Sequence, residues 1–195
     1  MMHLHVHPEN PQQRLIAQAV DPTDAAYAIG CQIGNKNAME RIAQIRGLGP
    51  KHQYAIMCCD LSDIATYAKV DNATYRLLKA NTPAITTFIL PATSEVPRRL
   101  MHPKKKTIGL RIPSNPICQA LLKELGEPLL TSTLILPGQE DPLDDPYDIE
   151  NQLDKRIEVF IDGGFGTLTS TSIVDLSGEH PEIIRRGVGD VSAFE

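Results

Sequence analysis

The stretch TIGLRIPSNPICQALLKELGEPLLTSTLILPG, residues 107–138, predicts a complete strand, helix and strand unit. An alternating apolar run over 108–112 favours the first strand, and Asn115-Pro116 is typical of a helix start, with Asn as cap and Pro in the first turn. Apolar residues then recur at helical spacing until Gly126, which favours a helix end. A second apolar run opens the next strand, which ends in the hydroxyl residues Thr131, Ser132 and Thr133.

Polar side chains therefore stand where both strands end. Arg111 closes the first strand just before the Pro113 turn, and the hydroxyls of 131–133 close the second. Because α/β proteins place ligand sites at strand ends, we expect neighbouring parallel strands to bring these groups together, with Arg111 solvated in a ligand cleft. A guanidinium facing hydroxyls suits an anionic or polyhydroxyl ligand. For the segment alone, a structural ion pair for Arg111 and backbone hydrogen bonds for the hydroxyls are favoured.

Similar patterns recur along the rest of the chain. We expect helices at 8–20, 37–46, 60–64, 72–80 and 148–155. We expect strands at 54–58, 86–90, near Val159, at 172–176 and at 182–185. Helices interspersed with short strands predict the α/β (α+β) class, with a twisted sheet of mixed parallel and antiparallel strands and flanking helices. Without an internal repeat or a long linker, residues 1–195 suit one domain.

Composition excludes several classes of protein. The four cysteines show no metal-ligand pairing of CxxC type, so we expect reduced thiols in a cytoplasmic protein. We expect neither a membrane span, which needs roughly twenty apolar residues, nor a secretory signal. Phosphate-loop, GxGxxG and GxSxG motifs are absent, and the six histidines lack zinc spacing. We therefore assign no catalytic nucleophile or base and no protein-bound metal, and we expect surface titration in flexible or loop positions for His3, His5, His7 and His52.

Several segments together resemble the YrdC/YciO family, and in particular its YciO branch. They are DPTDAAYAIGC at 21–31, NKNAMERIAQIRGL at 35–48, EVPRRL at 95–100, RIPSNP at 111–116, TST followed by LILPG at 131–138, and IIRRGVGDV at 183–191. Because the family's studied members include threonylcarbamoyl-AMP synthases, the resemblance implies a YrdC/RibB-like fold and a nucleotidyltransferase linked to tRNA modification. Its substrates would be ATP with Mg²⁺, L-threonine and bicarbonate, and its products threonylcarbamoyl-AMP and pyrophosphate.

The resemblance also implies binding roles for individual residues. Substrate binding is implied for Pro22, Thr23, Tyr27 and Thr87. Nucleotide binding is implied for Arg46, Arg111, Thr131, Thr133 and Arg185. The family has a Lys-x-Arg motif and a Ser-x-Asn motif, but here Leu48 replaces the second cation of one and Ile135 the amide of the other. Each lost phosphate contact costs on the order of 1.5 to 3 kcal/mol, so the resemblance implies weak activity.

A basic cluster supports an alternative from another class. The net charge of -5 argues against a generic nucleic-acid binder, but segment 98–111 carries six cations and no acid, whereas 140–154 carries seven acids and no base. Family resemblance also implies a concave basic surface for double-stranded RNA or tRNA. Such a non-catalytic RNA-binding module would use Arg98, Arg99, Lys104, Lys105 and Lys106. A solvated surface is the simpler explanation for 104–106 alone.

The helix expected at 8–20 meets the Asp21-Pro22-Thr23 motif with no strand between them. The family has a glycine turn and a strand at this point, about ten residues in all. Loss of a central strand would leave the backbone groups of its neighbours unpaired. We therefore expect the natural chain to carry a further strand between Val20 and Asp21 that this sequence lacks.

The intact mass of the natural protein tests this expectation. It should exceed the 21.5 kDa of this chain by the mass of about ten residues. A mass that matches the 195 residues would refute the missing segment and would require a rearranged sheet.

Overall fold

The computed structural model describes residues 3–6, 18–20, 25–49 and 52–195. These residues fall into two compact units. The first unit contains Met1–His52 and Leu129–Ser170, and the second contains Gln53–Pro128 and Thr171–Glu195. Both units combine helices with parallel and antiparallel strands, so the prediction of a mixed α/β fold is confirmed.

The described residues form ten strands and five α-helices. The strands are β1 His3–Val6, β2 Gln18–Val20, β3 Ala28–Gln32, β4 Ala55–Met57, β5 Thr86–Pro91, β6 Thr107–Arg111, β7 Leu129–Thr133, β8 Val159–Asp162, β9 Ser172–Asp175 and β10 Glu182–Arg185. The helices are α1 Lys36–Arg46, α2 Leu61–Tyr67, α3 Asn72–Ala80, α4 Pro116–Leu125 and α5 Pro146–Leu153, and a short 3-10 helix covers Ser192–Phe194.

In the first unit the strands lie in the order β1, β8, β2, β3 and β7. β2 and β8 run parallel, and the other neighbours run antiparallel. Helix α1 is capped by Asn35, whose side chain accepts a hydrogen bond from Ala38 N at 3.1 Å. The helix ends at Gly47, which has a φ of 62°. Glycine suits this left-handed position, and a Cβ here would also lie only 3.0 Å from Pro137 Cγ.

In the second unit the order is β4, β6, β5, β9 and β10. The pairs β4–β6 and β5–β9 are parallel, whereas β5–β6 and β9–β10 are antiparallel. Buried Asn115 caps α4 by accepting hydrogen bonds from Ile117 N at 2.8 Å and Cys118 N at 3.1 Å. In the core, the rings of Phe88 and Phe194 lie 5.6 Å apart. Across the described part of the chain, no helix is long and apolar enough to cross a membrane.

Most of the local predictions are confirmed. Asn115 caps α4 as expected, and Gly126 ends it with a φ of 67°. Helix α3 and strand β10 occupy the predicted residues. Several boundaries differ by a few residues; for example, Asn35 rather than Asn37 caps α1, Asp145 starts α5 earlier than predicted, and α2 extends to Tyr67. Asp145 accepts a hydrogen bond from the Tyr147 backbone N–H, and the intervening Pro suits a first helical turn.

Three predictions about longer-range organisation are wrong. Residues 18–20 are not the end of a helix, because strand β2 pairs with β3 and β8. The remainder of that predicted helix, 8–17, lies outside the described residues. His3 and His5 belong to a strand rather than a loop, since β1 pairs with β8. β6 is not a neighbour of β7, because β4 and β5 already occupy both edges of β6.

Candidate functional site

Arg46 is the last residue of α1, and its half-buried side chain donates hydrogen bonds to Ile135 and Ser132 in the first unit. Its Nε donates to the Ile135 carbonyl oxygen at 3.2 Å. Its Nη1 donates to the Ser132 hydroxyl oxygen. Because the guanidinium is planar, these two bonds fix its orientation and hold the cation in place before any ligand binds.

His52 lies against two of the same groups. Its Nε2 is 2.8 Å from Ser132 Oγ and 3.5 Å from Arg46 Nη1. We refer to Arg46, His52 and Ser132 as the Arg46 cluster. Burial, followed by the charge of Arg46, lowers the pKa of His52 from 6.5 to about 4. The imidazole is therefore neutral at neutral pH.

The Arg46 cluster corrects the sequence-based expectation for His52. This residue is not a freely titrating surface histidine, because it is half-buried and in contact with Ser132 and Arg46. It also gives the chain a hydroxyl paired with an imidazole, which no sequence motif indicates. His52 and Ser132 are 80 positions apart in the sequence. Only the packing of the segment after α1 against β7 reveals this contact.

The pairing of β3 with β7 determines which residues lie opposite the predicted hydroxyl residues of 131–133. Thr131 is buried opposite Gly30, and Thr133 is half-buried opposite Ala28. A Cβ on Gly30 would lie 2.8 Å from the Leu130 carbonyl oxygen, so glycine permits this close approach of the two strands. The hydroxyl contact to Arg46 comes from Ser132, which lies between the two predicted threonines.

Tyr27 has a core position in the first unit. It is fully buried, and its ring centroid is 6.2 Å from that of Phe160. Its hydroxyl donates a hydrogen bond to the Gly164 carbonyl oxygen at 2.6 Å. These contacts explain the residue structurally, and its role in substrate binding stays a prediction. The two other substrate residues predicted near it, Pro22 and Thr23, lie outside the described residues.

Two further predicted residues, Thr87 and Arg185, meet in the second unit at Thr171. The hydroxyl oxygens of Thr87 and Thr171 are 3.2 Å apart. Arg185 Nη2 donates to the Thr171 carbonyl oxygen at 2.7 Å and to its hydroxyl at 3.3 Å. We refer to Thr87, Thr171 and Arg185 as the Thr171 cluster. Its two hydroxyls and its exposed guanidinium provide groups that suit a carboxylate or a phosphate.

Arg111 does not have the predicted solvated position. Its side chain is only 7% exposed, and it belongs to β6, which lies between β4 and β5. The guanidinium Nη2 lies 3.4 Å from Met57 Sδ, within the same unit. The expectation of a solvent-exposed cleft arginine is therefore wrong, and a contact with ligand stays a prediction.

The five residues of the predicted basic cluster are all exposed in the second unit. They are Arg98, Arg99, Lys104, Lys105 and Lys106. The Nζ atom of Lys105 lies 3.5 Å from Asp175 Oδ2, so the charge of Lys105 is paired with a carboxylate. Lys105 is exposed whereas Asp175 is buried, and the cluster as a whole remains basic.

A cavity of about 500 Å³ in the second unit is lined by residues of α2, α3 and α4, among them Ser62, Lys79 and Gln119. None of the residues predicted to bind substrate, nucleotide or RNA lines this cavity. Within the described residues, no three His, Cys, Asp or Glu side chains come together in a manner that could hold a metal ion.

Comparison with known proteins relates this chain to a family. The model of the Sua5/YciO/YrdC domain, described as telomere recombination, matches residues 18–187. This chain belongs to the Sua5/YciO/YrdC family. YciO of Escherichia coli K12 is 51% identical over 200 residues, which cover 97% of each chain. The crystal structure of Escherichia coli YciO has a TM-score of 0.84 at 49% identity and covers 97% of both chains.

More distant relatives include named enzymes. The threonylcarbamoyl-AMP synthase of Bacillus subtilis is 24% identical over 168 residues, which cover 85% of this chain and 48% of the synthase. The structure of P. abyssi Sua5 complexed with L-threonine has the same fold, with a TM-score of 0.78 at 23% identity. It covers 88% of this chain and 50% of the Sua5 chain. The resemblance drawn from the sequence motifs is thus confirmed at the level of the family.

The alignment with Escherichia coli YciO also bears on the strand expected after Val20. The aligned stretch of 200 residues is longer than the 195 residues of this chain. YciO therefore has residues with no counterpart here, and the strand expected between Val20 and Asp21 stays a prediction.

Substitution of Arg111 separates a structural role from a ligand-binding role. Because the side chain is buried, Arg111→Ala should lower the free energy of unfolding by about 2 to 4 kcal/mol. Arg111→Met keeps most of the buried volume and should lose less stability. Urea denaturation and calorimetry with Mg-ATP on the same samples provide the measurement. Unchanged stability combined with lost ATP binding in Arg111→Ala would contradict the buried structural role.

Proposed function

We propose that this protein binds Mg-ATP and L-threonine and is a weak threonylcarbamoyl-AMP synthase linked to tRNA modification. Membership of the Sua5/YciO/YrdC family supports the proposal, as does the homology to the threonylcarbamoyl-AMP synthase of Bacillus subtilis over 85% of this chain. The L-threonine in the P. abyssi Sua5 structure supports threonine as the amino-acid substrate.

The Arg46 cluster is the observation that carries the proposal. Hydrogen bonds from the Arg46 guanidinium to the Ile135 carbonyl oxygen and to Ser132 orient the cation without neutralising its charge. A preorganised guanidinium binds phosphate oxygens through charge-assisted hydrogen bonds and loses little side-chain entropy in doing so. Arg46 would thus hold the phosphates of ATP.

The Thr171 cluster offers a second set of groups for an anion. Arg185 carries a positive charge, and it is held against Thr171 by hydrogen bonds from Nε at 3.0 Å and Nη2 at 2.7 Å to the same carbonyl oxygen. Thr87 adds a hydroxyl 3.2 Å from that of Thr171. Both a substrate carboxylate and a nucleotide phosphate are acceptors that fit these donors.

The proposed reaction needs no covalent nucleophile from the protein. The amine of threonine captures carbon dioxide derived from bicarbonate and forms a carbamate. An oxygen of this carbamate attacks the α-phosphorus of ATP, and the bond to the β-phosphate oxygen breaks and releases pyrophosphate. Catalysis then depends on holding the two reactants in line and on stabilising the negative charge of the phosphates. Arg46 supplies positive charge for this purpose, and Mg²⁺ arrives with ATP as part of the substrate.

Two residues near Arg46 would account for the proposed weak activity. Leu48 lies two positions beyond Arg46, where the family has its second cation, and it offers only a half-buried apolar side chain. Ile135 replaces the family's amide, although its carbonyl oxygen still positions Arg46. The proposed site therefore keeps one fixed cation and lacks two polar side chains that would contact phosphate.

Restoring these two groups should strengthen ATP binding. The wild-type protein is expected to bind Mg-ATP with a Kd of about 1 mM, and Leu48→Arg with Ile135→Asn should tighten it by about tenfold or more. Isothermal titration calorimetry measures both affinities. Leu168→Arg is a matched control, because it adds the same charge to the first unit at a position that is already 53% exposed. No heat with millimolar Mg-ATP for either protein would refute ATP binding.

The exposed basic cluster favours a second candidate function, the non-catalytic binding of double-stranded RNA. Five exposed cations lie within the short segment 98–106 of the second unit. Electrostatic contacts of this type release counterions from the nucleic acid, so they weaken steeply with salt. The affinity of a nucleotide bound at the Arg46 cluster should not depend on the cations of segment 98–106.

Variants of the basic cluster test this candidate. Arg98→Gln with Lys104→Gln should reduce the salt dependence of RNA affinity by about one unit of slope for each lost phosphate contact. ATP affinity should be unchanged. Fluorescence anisotropy with a labelled RNA duplex at several salt concentrations measures the slope. An unchanged slope in the double variant would show that these residues do not contact RNA phosphates.

A further inference from the structure

The hydrogen-bond directions in the Arg46 cluster define the protonation state of His52. A guanidinium can only donate, so Ser132 Oγ accepts from Arg46 Nη1. The single hydrogen of the Ser132 hydroxyl then lies toward His52 Nε2, 2.8 Å away. Nε2 must offer a lone pair in this arrangement, and Arg46 Nη1, at 3.5 Å, approaches it as a second donor. The network therefore contains a neutral imidazole with its proton on Nδ1.

We propose that His52 is a proton-dependent second cation of the phosphate site, neutral in the free protein and protonated when a polyphosphate binds at Arg46. This inference rests on the proposed function, since it assumes that Arg46 holds phosphate. It assigns to His52 a charge that Leu48 does not supply.

The electrostatics of the cluster explain the change in charge. Nε2 of His52 faces Arg46, from the end of α1, and Ser132, from β7. Burial, together with the charge of Arg46, lowers the pKa of His52 to about 4. A bound phosphate group carries more negative charge than one guanidinium can neutralise. It therefore reverses the local field and stabilises the imidazolium.

Protonation also changes which groups donate. When a proton from the buffer joins Nε2, the imidazole becomes a donor on both nitrogens. The Ser132 hydroxyl hydrogen no longer has its acceptor and can rotate toward a phosphate oxygen. Arg46, His52 and Ser132 then all donate to the anion, and one proton is taken up for each anion bound.

The sign of the pH dependence follows from this proton uptake. The pKa of His52 is lower in the free protein than in the complex, so affinity for the anion rises as the pH falls between these two values. Between the two pKa values, the affinity for the anion increases by up to about tenfold for each unit by which the pH falls. Above the pKa of the complex, His52 is neutral in both states and the effect vanishes.

Calorimetry with inorganic pyrophosphate tests the proposal. Titrations at several pH values between 5.5 and 8, each in buffers of different ionisation enthalpy, give both the affinity and the number of protons taken up. Pyrophosphate itself gains and loses protons in this pH range, and its contribution to the measured proton uptake is the same for any variant. The wild-type protein is therefore compared with His52→Gln. Gln keeps a neutral hydrogen-bond acceptor for Ser132 but cannot be protonated.

The wild-type protein should take up as much as one proton more than His52→Gln, and its advantage in affinity should reach about tenfold near pH 6 and shrink toward pH 8. His52→Lys is a second variant with a permanent cation. It should bind pyrophosphate at pH 8 at least as tightly as the wild type and without the additional proton uptake.

The outcomes separate this inference from the proposed function. Equal proton uptake and equal pH dependence in the wild type and His52→Gln, with pyrophosphate still bound, would overturn the role of His52 and leave the nucleotide site standing. If neither pyrophosphate nor Mg-ATP binds the wild type at any pH, both the nucleotide site and the inference fail.

Discussion

The close approach of β3 and β7 at Gly30 is the constraint on which the candidate site of the first unit depends. A side chain at this position would meet the Leu130 carbonyl oxygen at 2.8 Å, closer than any Cβ can come. With glycine there, the two strands pair so that Ile29 lies opposite Ser132. Because a shift of one residue in register turns each side chain to the other face of the sheet, this pairing determines that Ser132 contacts Arg46 and His52.

The Arg46 cluster combines a permanent cation with a group of variable charge. Arg46 remains charged at all accessible pH values, whereas burial and the guanidinium itself keep His52 neutral in the free protein. A single fixed cation is a modest binder of polyphosphate, which agrees with a chain that lacks polar side chains at Leu48 and Ile135. Adding charge only when the anion is present avoids the repulsion that two adjacent fixed cations would create in the free protein.

In the second unit, Arg185 and Arg111 differ in their exposure to solvent. Arg185 is exposed and donates two hydrogen bonds to the Thr171 carbonyl oxygen. A backbone carbonyl group, rather than a carboxylate, therefore orients its guanidinium. Arg111 is buried in a strand with neighbours on both sides, where the loss of its side chain would leave a cavity. Two arginines with the same implied role in nucleotide binding thus differ in their exposure to solvent, so their loss should have different consequences for stability and binding.

Local signals in the sequence were sufficient for most individual elements. Asn115 and Gly126 delimit α4, and the apolar spacing of α3 predicts it without reference to other segments, because capping and periodicity act within a few residues. The motifs likewise indicated the family and identified Arg46, Thr87 and Arg185 as candidate residues. Tertiary structure alone decided the partners of β6, the burial of Arg111 and the contact of His52 with Ser132. These features depend on which strands pair and on groups up to 80 positions apart, and no local pattern of residues encodes such long-range pairing.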